Sequence, residues 1–296
     1  MQVQAFFDAR SSTLTYVVFD PKTHDAVVID PVLDYESVGS YTFTESLDQL
    51  VDFVKKNQLR VHWSLETHAH ADHLSGGPLL RRRCEAKVGI GGDITKVQAT
   101  FKDLFALEQL ATDGSQFDRT FRDGEVIQAG SLAIEVIATP GHTPACVTYK
   151  IDDALFTGDL LFMDDYGTGR CDFPGGSAAA MYDSVQKLYA LGDALRVFPG
   201  HDYPPDGREV RWETTVAASR DHNPQLSAKT GREEFVRARN ERDAKLAAPK
   251  LLFQSVQVNI DGGRLPAANA AGRRYLVLPI NLLRPADELG EPKPRS

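Results

Sequence analysis

The sequence predicts an α+β fold, on three observations. Short runs of β-branched and aromatic residues recur along it, and apolar residues at helical spacing fall between some of them. The two kinds of segment interleave without a βαβ rhythm, and no glycine-rich phosphate loop is present, so a dinucleotide-binding reading has no support. At 296 residues the chain suits one large domain or two unequal ones. A chain of this size buries enough surface to fold without a disulfide or a structural metal.

In order, Leu14 to Phe19 and Ala26 to Ile29 read as strands around a Pro-Lys-Thr-His-Asp turn. Leu47, Leu50, Val51 and Val54 fall on one helical face behind a Thr44 cap. Val61, Trp63 and Leu65 alternate with polar residues as in a half-buried strand, and a loop rich in His and Gly leads to a helix near Leu79. Ala86 to Ile90, Leu132 to Ile137, Val147 to Ile151 and Ala154 to Phe156 are further strands, the last pair joined by an Asp152-Asp153 turn. Met181, Val185, Leu188 and Tyr189 mark a helix before the short strand Arg196 to Phe198. Residues 1–260 are expected to form the main domain, with its core reaching about 204 and charged helices following over one face. Residues 261–296 read as a C-terminal extension whose last ten or so residues fray.

Composition excludes several partners. Lys and Arg total 33 against 41 for Asp and Glu, a formal charge of −8, which disfavours nucleic acid and anionic membranes. No apolar stretch approaches a membrane span, and the opening residues lack the features of a signal peptide. The 3 cysteines, Cys84, Cys146 and Cys171, are few and widely spaced, as in a reducing compartment, so a cytoplasmic location is expected. No partnered base accompanies Cys171, and all three thiols are read as packing groups.

The 8 histidines are unevenly placed. Thr67-His68-Ala69-His70-Ala71-Asp72-His73 concentrates imidazoles and a carboxylate just after a strand. His142, Asp159 and His201 each follow a glycine at the end of another strand, where tight turns allow close approach to a site. Imidazoles crowded in this way repel unless a cation is shared, so the set points to a metal site. By spacing alone His68, His70, Asp72, His73, His142, Asp159 and His201 would suffice for two metals, as in a dinuclear zinc hydrolase. His24, His62 and His222 lack such company and are assigned to surface or packing.

This order of motifs resembles the metallo-β-lactamase superfamily over most of the chain, which implies a four-layer αββα sandwich with metal at the sheet edges. Phe7-Asp8, Ser11 to Tyr16 and Ile29-Asp30-Pro31-Val32 resemble the opening of persulfide dioxygenases. So do Gly169-Arg170-Cys171-Asp172-Phe173, Gly200-His201-Asp202-Tyr203, Asn223-Pro224 and Glu234-Phe235-Val236, the Arg170 segment matching the bacterial branch. The resemblance implies one Fe(II) per chain held by His68, His142 and Asp159, leaving open coordination positions. It implies that glutathione persulfide, O2 and water give glutathione and sulfite, and that the chain is a homodimer. His70, Asp72, His73, His201 and Asp202 would then support the ligands and organise water, and the Tyr203 hydroxyl would reach a bound ligand. Glutathione carries two carboxylates, so its pocket should contain cations; Arg170 and Arg220 are the candidates, while Arg237 and Arg239 read as solvated. The stretches Leu160 to Thr168 and Leu33 to Ser46 look longer than in the shortest members and are expected to shape the pocket rim. The alternative is a dinuclear zinc glutathione thioester hydrolase of the glyoxalase II type. A metal-binding sensor that performs no turnover ranks below both.

Overall fold

A computed structural model describes residues 1–283 and 285–292. β1 (Gln2–Asp8), β2 (Thr13–Phe19) and β3 (Asp25–Ile29) form an antiparallel meander. β4 (Val32–Glu36) and β5 (Tyr41–Phe43) make a hairpin ahead of α1 (Glu45–Lys56), after which β6 (Arg60–Glu66) joins β3 in parallel. β7 (Leu74–Ser75), α2 (Gly77–Cys84), β8 (Lys87–Gly91), α3 (Ile94–Leu104) and β9 (Arg119–Phe121) follow. The first sheet has the order β1-β2-β3-β6-β8-β9, and β5-β4-β7 is a small accessory sheet.

The second half supplies β10 (Val126–Ala129), β11 (Leu132–Ala138), β12 (Val147–Ile151), β13 (Ala154–Gly158), α4 (Ala178–Tyr189), β14 (Arg196–Pro199) and β15 (Thr214–Thr215). These strands pair in sequence order, antiparallel except for β13 with β14. α5 (Val216–His222), α6 (Arg232–Asp243) and α7 (Leu252–Asn259) complete the helices.

Period-two alternation explains the layers. On β2, Leu14, Tyr16 and Val18 join one buried cluster while Val17 and Phe19 join another, so the near-continuous apolar run is a strand covered on both faces. The inner cluster also takes Phe156 and Tyr149 from the second sheet, and is the seam of the sandwich. α1 and α2 cover the outer face of the first sheet through Leu47, Leu50, Val54 and Leu80. α4, α5 and α6 cover the second through Met181, Val185, Val216 and Phe235. This is the expected αββα sandwich. Each such apolar side chain contributes about 1.5–3 kcal/mol by burial.

Some local expectations change. β1 and α3 carried no clear signal: β1 is a largely exposed edge strand, and α3 buries only Ile94, Val97, Gln98 and Phe101. Thr44 precedes α1 but donates its hydroxyl to the Asp48 carboxylate at 2.9 Å instead of capping a backbone N–H. Arg237 is exposed as expected, whereas Arg239, read as solvated, is 4% exposed. Its guanidinium pairs with Asp243, donates to Gln225 Oε1 at 2.8 Å, and meets the Thr168 and Gly169 carbonyls at 3.3 Å. Asp243 in turn accepts the Cys171 N–H at 2.7 Å, so α6 clamps the segment that follows Asp159. The fraying expected at the C-terminus falls partly on residues 293–296, outside the described residues. No helix among the described residues is long and apolar enough to cross a membrane.

Two outcomes are expected. Asp243→Ala leaves the Arg239 charge buried without its carboxylate and should lower stability by about 3–5 kcal/mol in urea denaturation, more than the pair Arg239→Met with Asp243→Leu. Equal losses would show that the pair is no clamp. Burial pushes the thiols of Cys146 and Cys171 up to about 12. Iodoacetamide at pH 8 should therefore modify half-buried Cys84 in the folded protein before either of them, as read by peptide mass spectrometry.

Candidate metal centre

The site lies where strand ends from both sheets meet. The loop after β6 carries His68, His70, Asp72 and His73; the turn after β11 carries His142; β13 runs into Asp159, and β14 into His201. Gly158 has φ +50, and a Cβ there would fall 2.4 Å from Thr67 Oγ1, so the close approach of β13 to the histidine loop requires glycine. The loop is also fastened from α7: Asn259 donates to the carbonyls of His70 and His73 at 2.9 and 2.8 Å and accepts the Ser75 N–H at 2.8 Å.

Ligand atoms of His68, His142 and Asp159 all lie within 4.8 Å of one another. His68 Nε2 and His142 Nε2 approach Asp159 Oδ2 at 4.0 and 3.7 Å. Hydrogen bonds set the tautomers that leave these atoms free. His142 Nδ1–H donates to the Arg170 carbonyl at 2.7 Å. Thr67 Oγ1 donates to Asp30 at 2.8 Å and so accepts from His68 Nδ1–H at 3.0 Å. Burial, with His70 and His142 nearby, holds His68 well below the usual imidazole range and therefore neutral. His68 Nε2 and Asp159 Oδ1 are buried without a hydrogen-bond partner, as orphaned atoms that a cation would satisfy. The donor set therefore fits a divalent metal.

His70 behaves differently. Its Nε2 faces Asp30 Oδ1 at 3.0 Å and Glu66 Oε2 at 3.4 Å, both carboxylates being buried. Burial opposes its charge, yet those carboxylates hold its pKa well above the ordinary value. Asp30 also accepts the Thr67 N–H at 2.7 Å, and Asp30 and Glu66 are the residues to which no role was assigned from the sequence.

A second group adjoins the first. Ligand atoms of His70, Asp72 and His73 lie within 4.8 Å, and His73 Nε2 is buried without a partner. His73 Nδ1 meets Asp72 Oδ2 at 2.9 Å, and Thr13 donates to the same oxygen at 3.0 Å. His201 Nδ1–H donates to the Ser12 carbonyl at 3.1 Å, which turns Nε2 towards Asp159 Oδ1 at 3.2 Å and Asp72 Oδ2 at 3.6 Å. Burial opposes the His201 charge, but Asp159 and Asp72 raise its pKa. Burial likewise works against the Asp72 charge, which His73 and His201 outweigh, leaving its pKa well below the carboxylate range.

The remaining candidates separate. Tyr203 stacks on His201, ring centroids 5.3 Å apart at 19°, with Phe162 and Tyr166 of the Leu160 to Thr168 stretch against it. Burial and the Asp159 charge raise its pKa, so the phenol stays protonated. Asp202 is fully buried but occupied elsewhere: it accepts two bonds from Arg208 and the Arg211 N–H, all at 2.7 Å. Arg170 reaches the cavity beside His142, yet Nε and Nη2 bind Asp172 at 2.6 Å and Nη1 donates to the Ala247 carbonyl at 2.7 Å. Arg220 pairs with Asp193 at 2.6 Å and does not line that cavity. His24 is exposed and bonds the Asn57 carbonyl, His62 pairs with Asp25 at 2.6 Å, and His222 is exposed.

Several known proteins resemble this chain in sequence and fold. A "Beta-lactamase hydrolase-like protein" of Agrobacterium fabrum is 45% identical over 95% of this chain; the chain spans 65%, about two thirds, of that protein's length. "Glyoxylase B2" of Dictyostelium discoideum is 43% identical over 96% of this chain and 98% of its own. "Persulfide dioxygenase ETHE1, mitochondrial" of Bos taurus is 35% identical over 84% of this chain and 82% of its own. The crystal structure of ETHE1 from Myxococcus xanthus superposes with a TM-score of 0.71 at 34% identity, covering 89% of this chain and all of that one. The family model described as "Metallo-beta-lactamase superfamily" matches residues 9–201, from the approach to β2 to the last of the clustered histidines. The chain belongs to the metallo-β-lactamase superfamily.

Proposed function

We propose that the protein is a mononuclear non-haem iron persulfide dioxygenase. The observation that carries this reading is the placement of His70 Nε2 between the buried carboxylates of Asp30 and Glu66. With its Nε2 committed to those carboxylates, His70 supports the loop, and His68, His142 and Asp159 form a two-histidine, one-carboxylate set with open positions. Similarity to proteins named persulfide dioxygenase supports the same reading. Fe(II) bound there would supply adjacent positions for a persulfide sulfur and for O2. The reaction balances as RSSH + O2 + H2O giving RSH, bisulfite and a proton, with O2 taking the electrons that the outer sulfur loses. Glutathione is the R group implied by family resemblance.

The protein's own groups have separable tasks. Arg170 holds His142 through its backbone carbonyl, and Thr67 with Asp30 holds His68. Asp72 and His201, on the far side of Asp159, are placed to orient water and to accept the released proton. The protonated Tyr203 phenol can donate to an anionic sulfur. A cytoplasmic homodimer completes the reading.

The second reading is a dinuclear zinc thioester hydrolase. The unpartnered His73 Nε2 beside Asp72 and His201 favours it, as does similarity to a protein named glyoxylase.

An oxygen electrode separates the two. Glutathione persulfide should consume O2 and yield sulfite, and His142→Ala and Asp159→Ala should each abolish both. Hydrolysis of S-lactoylglutathione without O2 uptake would establish the hydrolase instead. Asp30→Asn weakens the support of both His68 and His70 and should lower metal affinity about 10–100-fold in a chelator competition. Unchanged affinity would remove Asp30 from the site.

A further inference from the structure

The Ser11 to Tyr16 motif opens with two hydroxyls that hold none of His68, His142 and Asp159. Ser12 has φ +58, which breaks the extended run ahead of β2 and lets Ser11 Oγ meet Thr13 Oγ1 at 2.7 Å. On one side Thr13 Oγ1 lies 3.0 Å from Asp72 Oδ2, and on the other Ser11 Oγ lies 2.6 Å from Asp8 Oδ2. Three oxygen-to-oxygen links therefore join Asp72 to Asp8, and the two hydroxyls bring only two hydrogens to them. The middle link is too short to stand without a hydrogen, so both hydroxyls point the same way, and one end of the chain is open. A proton taken up at the open end completes the chain, and its loss at the other end reopens it. The interior of the chain is shielded, with Thr13 1% exposed and Asp8 8%. Asp8 nevertheless lines a cavity of about 450 Å³ together with exposed Phe7, Glu45 and Gln49, so this end reaches solvent. The half-exposed Arg10 guanidinium, 3.4 Å from Asp8 Oδ1, favours departure of a proton there.

Resting on the persulfide dioxygenase reading, in which each turnover releases a proton, we infer that Thr13 and Ser11 carry that proton from Asp72 to Asp8 and so to solvent. Hydrogen passes from Asp72 to Thr13 Oγ1, from Thr13 to Ser11 Oγ, and from Ser11 to Asp8 Oδ2. Each hydroxyl gives one hydrogen and gains one, so only the carboxylates change charge: Asp72 becomes anionic and Asp8 neutral. Asp8 then gives the proton to water, and rotation of the two hydroxyls resets the chain. Neither Ser11 nor Asp8 lines the cavity beside His142, so the path does not cross that space. The competing path is direct, through a cavity of about 250 Å³ that touches Asp8, Asp72 and His73.

Stopped-flow O2 consumption with glutathione persulfide, run in dilute buffer with a pH indicator, tests the path on the iron-loaded full chain. Ser11→Ala and Thr13→Val each break the chain and should lower kcat about 10-fold, with KM and bound iron unchanged. The solvent deuterium isotope effect on kcat should rise in both variants. Added 2-methylimidazole, a small proton carrier too hindered to bind metal well, should restore the rate. Thr13→Ser returns the hydroxyl and should recover most of the loss. Equal kcat in the wild type, Ser11→Ala and Thr13→Val would show that the proton leaves directly and would overturn the relay, with the dioxygenase reading intact. A loss that neither the buffer nor Thr13→Ser restores would overturn it as well, because the hydroxyls would then only hold the loop. If S-lactoylglutathione is hydrolysed and no O2 is consumed, the dioxygenase reading fails. The same variants are then read on the proton that hydrolysis releases, and the relay stands if loss and rescue recur and falls if they do not. Turnover of neither substrate overturns both.

Discussion

One buried carboxylate ties the site to the fold. Asp30 leaves β3 with φ +50, in a region that side chains other than glycine adopt at a cost, and its carboxylate accepts from Thr67 N, Thr67 Oγ1 and His70 Nε2. Those bonds fix the start of the histidine loop, choose the tautomer of His68, and keep His70 turned towards Asp30 and Glu66. The backbone N–H of Asp30 donates to Leu65 at the end of β6, and Thr15 of β2 donates to its carbonyl. The first sheet therefore dictates the arrangement of the histidines with few intervening bonds, which limits the freedom that would blur a metal site.

The second sheet and the late helices act on the other candidate ligands by the same logic. Arg239 and Asp243 on α6 hold the Gly169 to Cys171 backbone, and the Arg170 carbonyl within it orients His142. The charge of Arg239 is tolerable in the interior because Asp243, Gln225 and two carbonyls surround it. The formal charge of −8 gives a poor surface for polyanions, and among the described residues the charged side chains lining the cavity beside His142 are the paired Arg170 and Asp172. Arginine side chains near the site serve mainly as internal fasteners.

Much of this was legible in the sequence because the relevant signals are local. β2 shows as a β-branched and aromatic run, and the candidate ligands fall in one histidine-rich motif or directly after glycine at strand ends. What could not be read depends on long-range contacts. Arg239 lies in a helix with many charged residues, and nothing in its neighbourhood distinguishes it from exposed Arg237; the distant Thr168 and Gly169 carbonyls bury it. Asp30 stood within a recognisable motif, but its role appears only when Thr67 and His70, some forty positions away, fold onto it. Arg170, read as a substrate-binding cation, lines the cavity with His142, and Asp172, two positions on, pairs with its guanidinium. Asp202 was read as a neighbour of the ligands, and Arg208 draws it away.

Anomalous scattering from crystals of protein produced without added zinc, recorded at the iron and zinc edges, tests the central claim most directly. One iron peak per chain, coordinated by His68, His142 and Asp159 with His70 still bonded to Asp30, is the predicted result. Two zinc peaks, the second held by Asp72, His73 and His201, would contradict it.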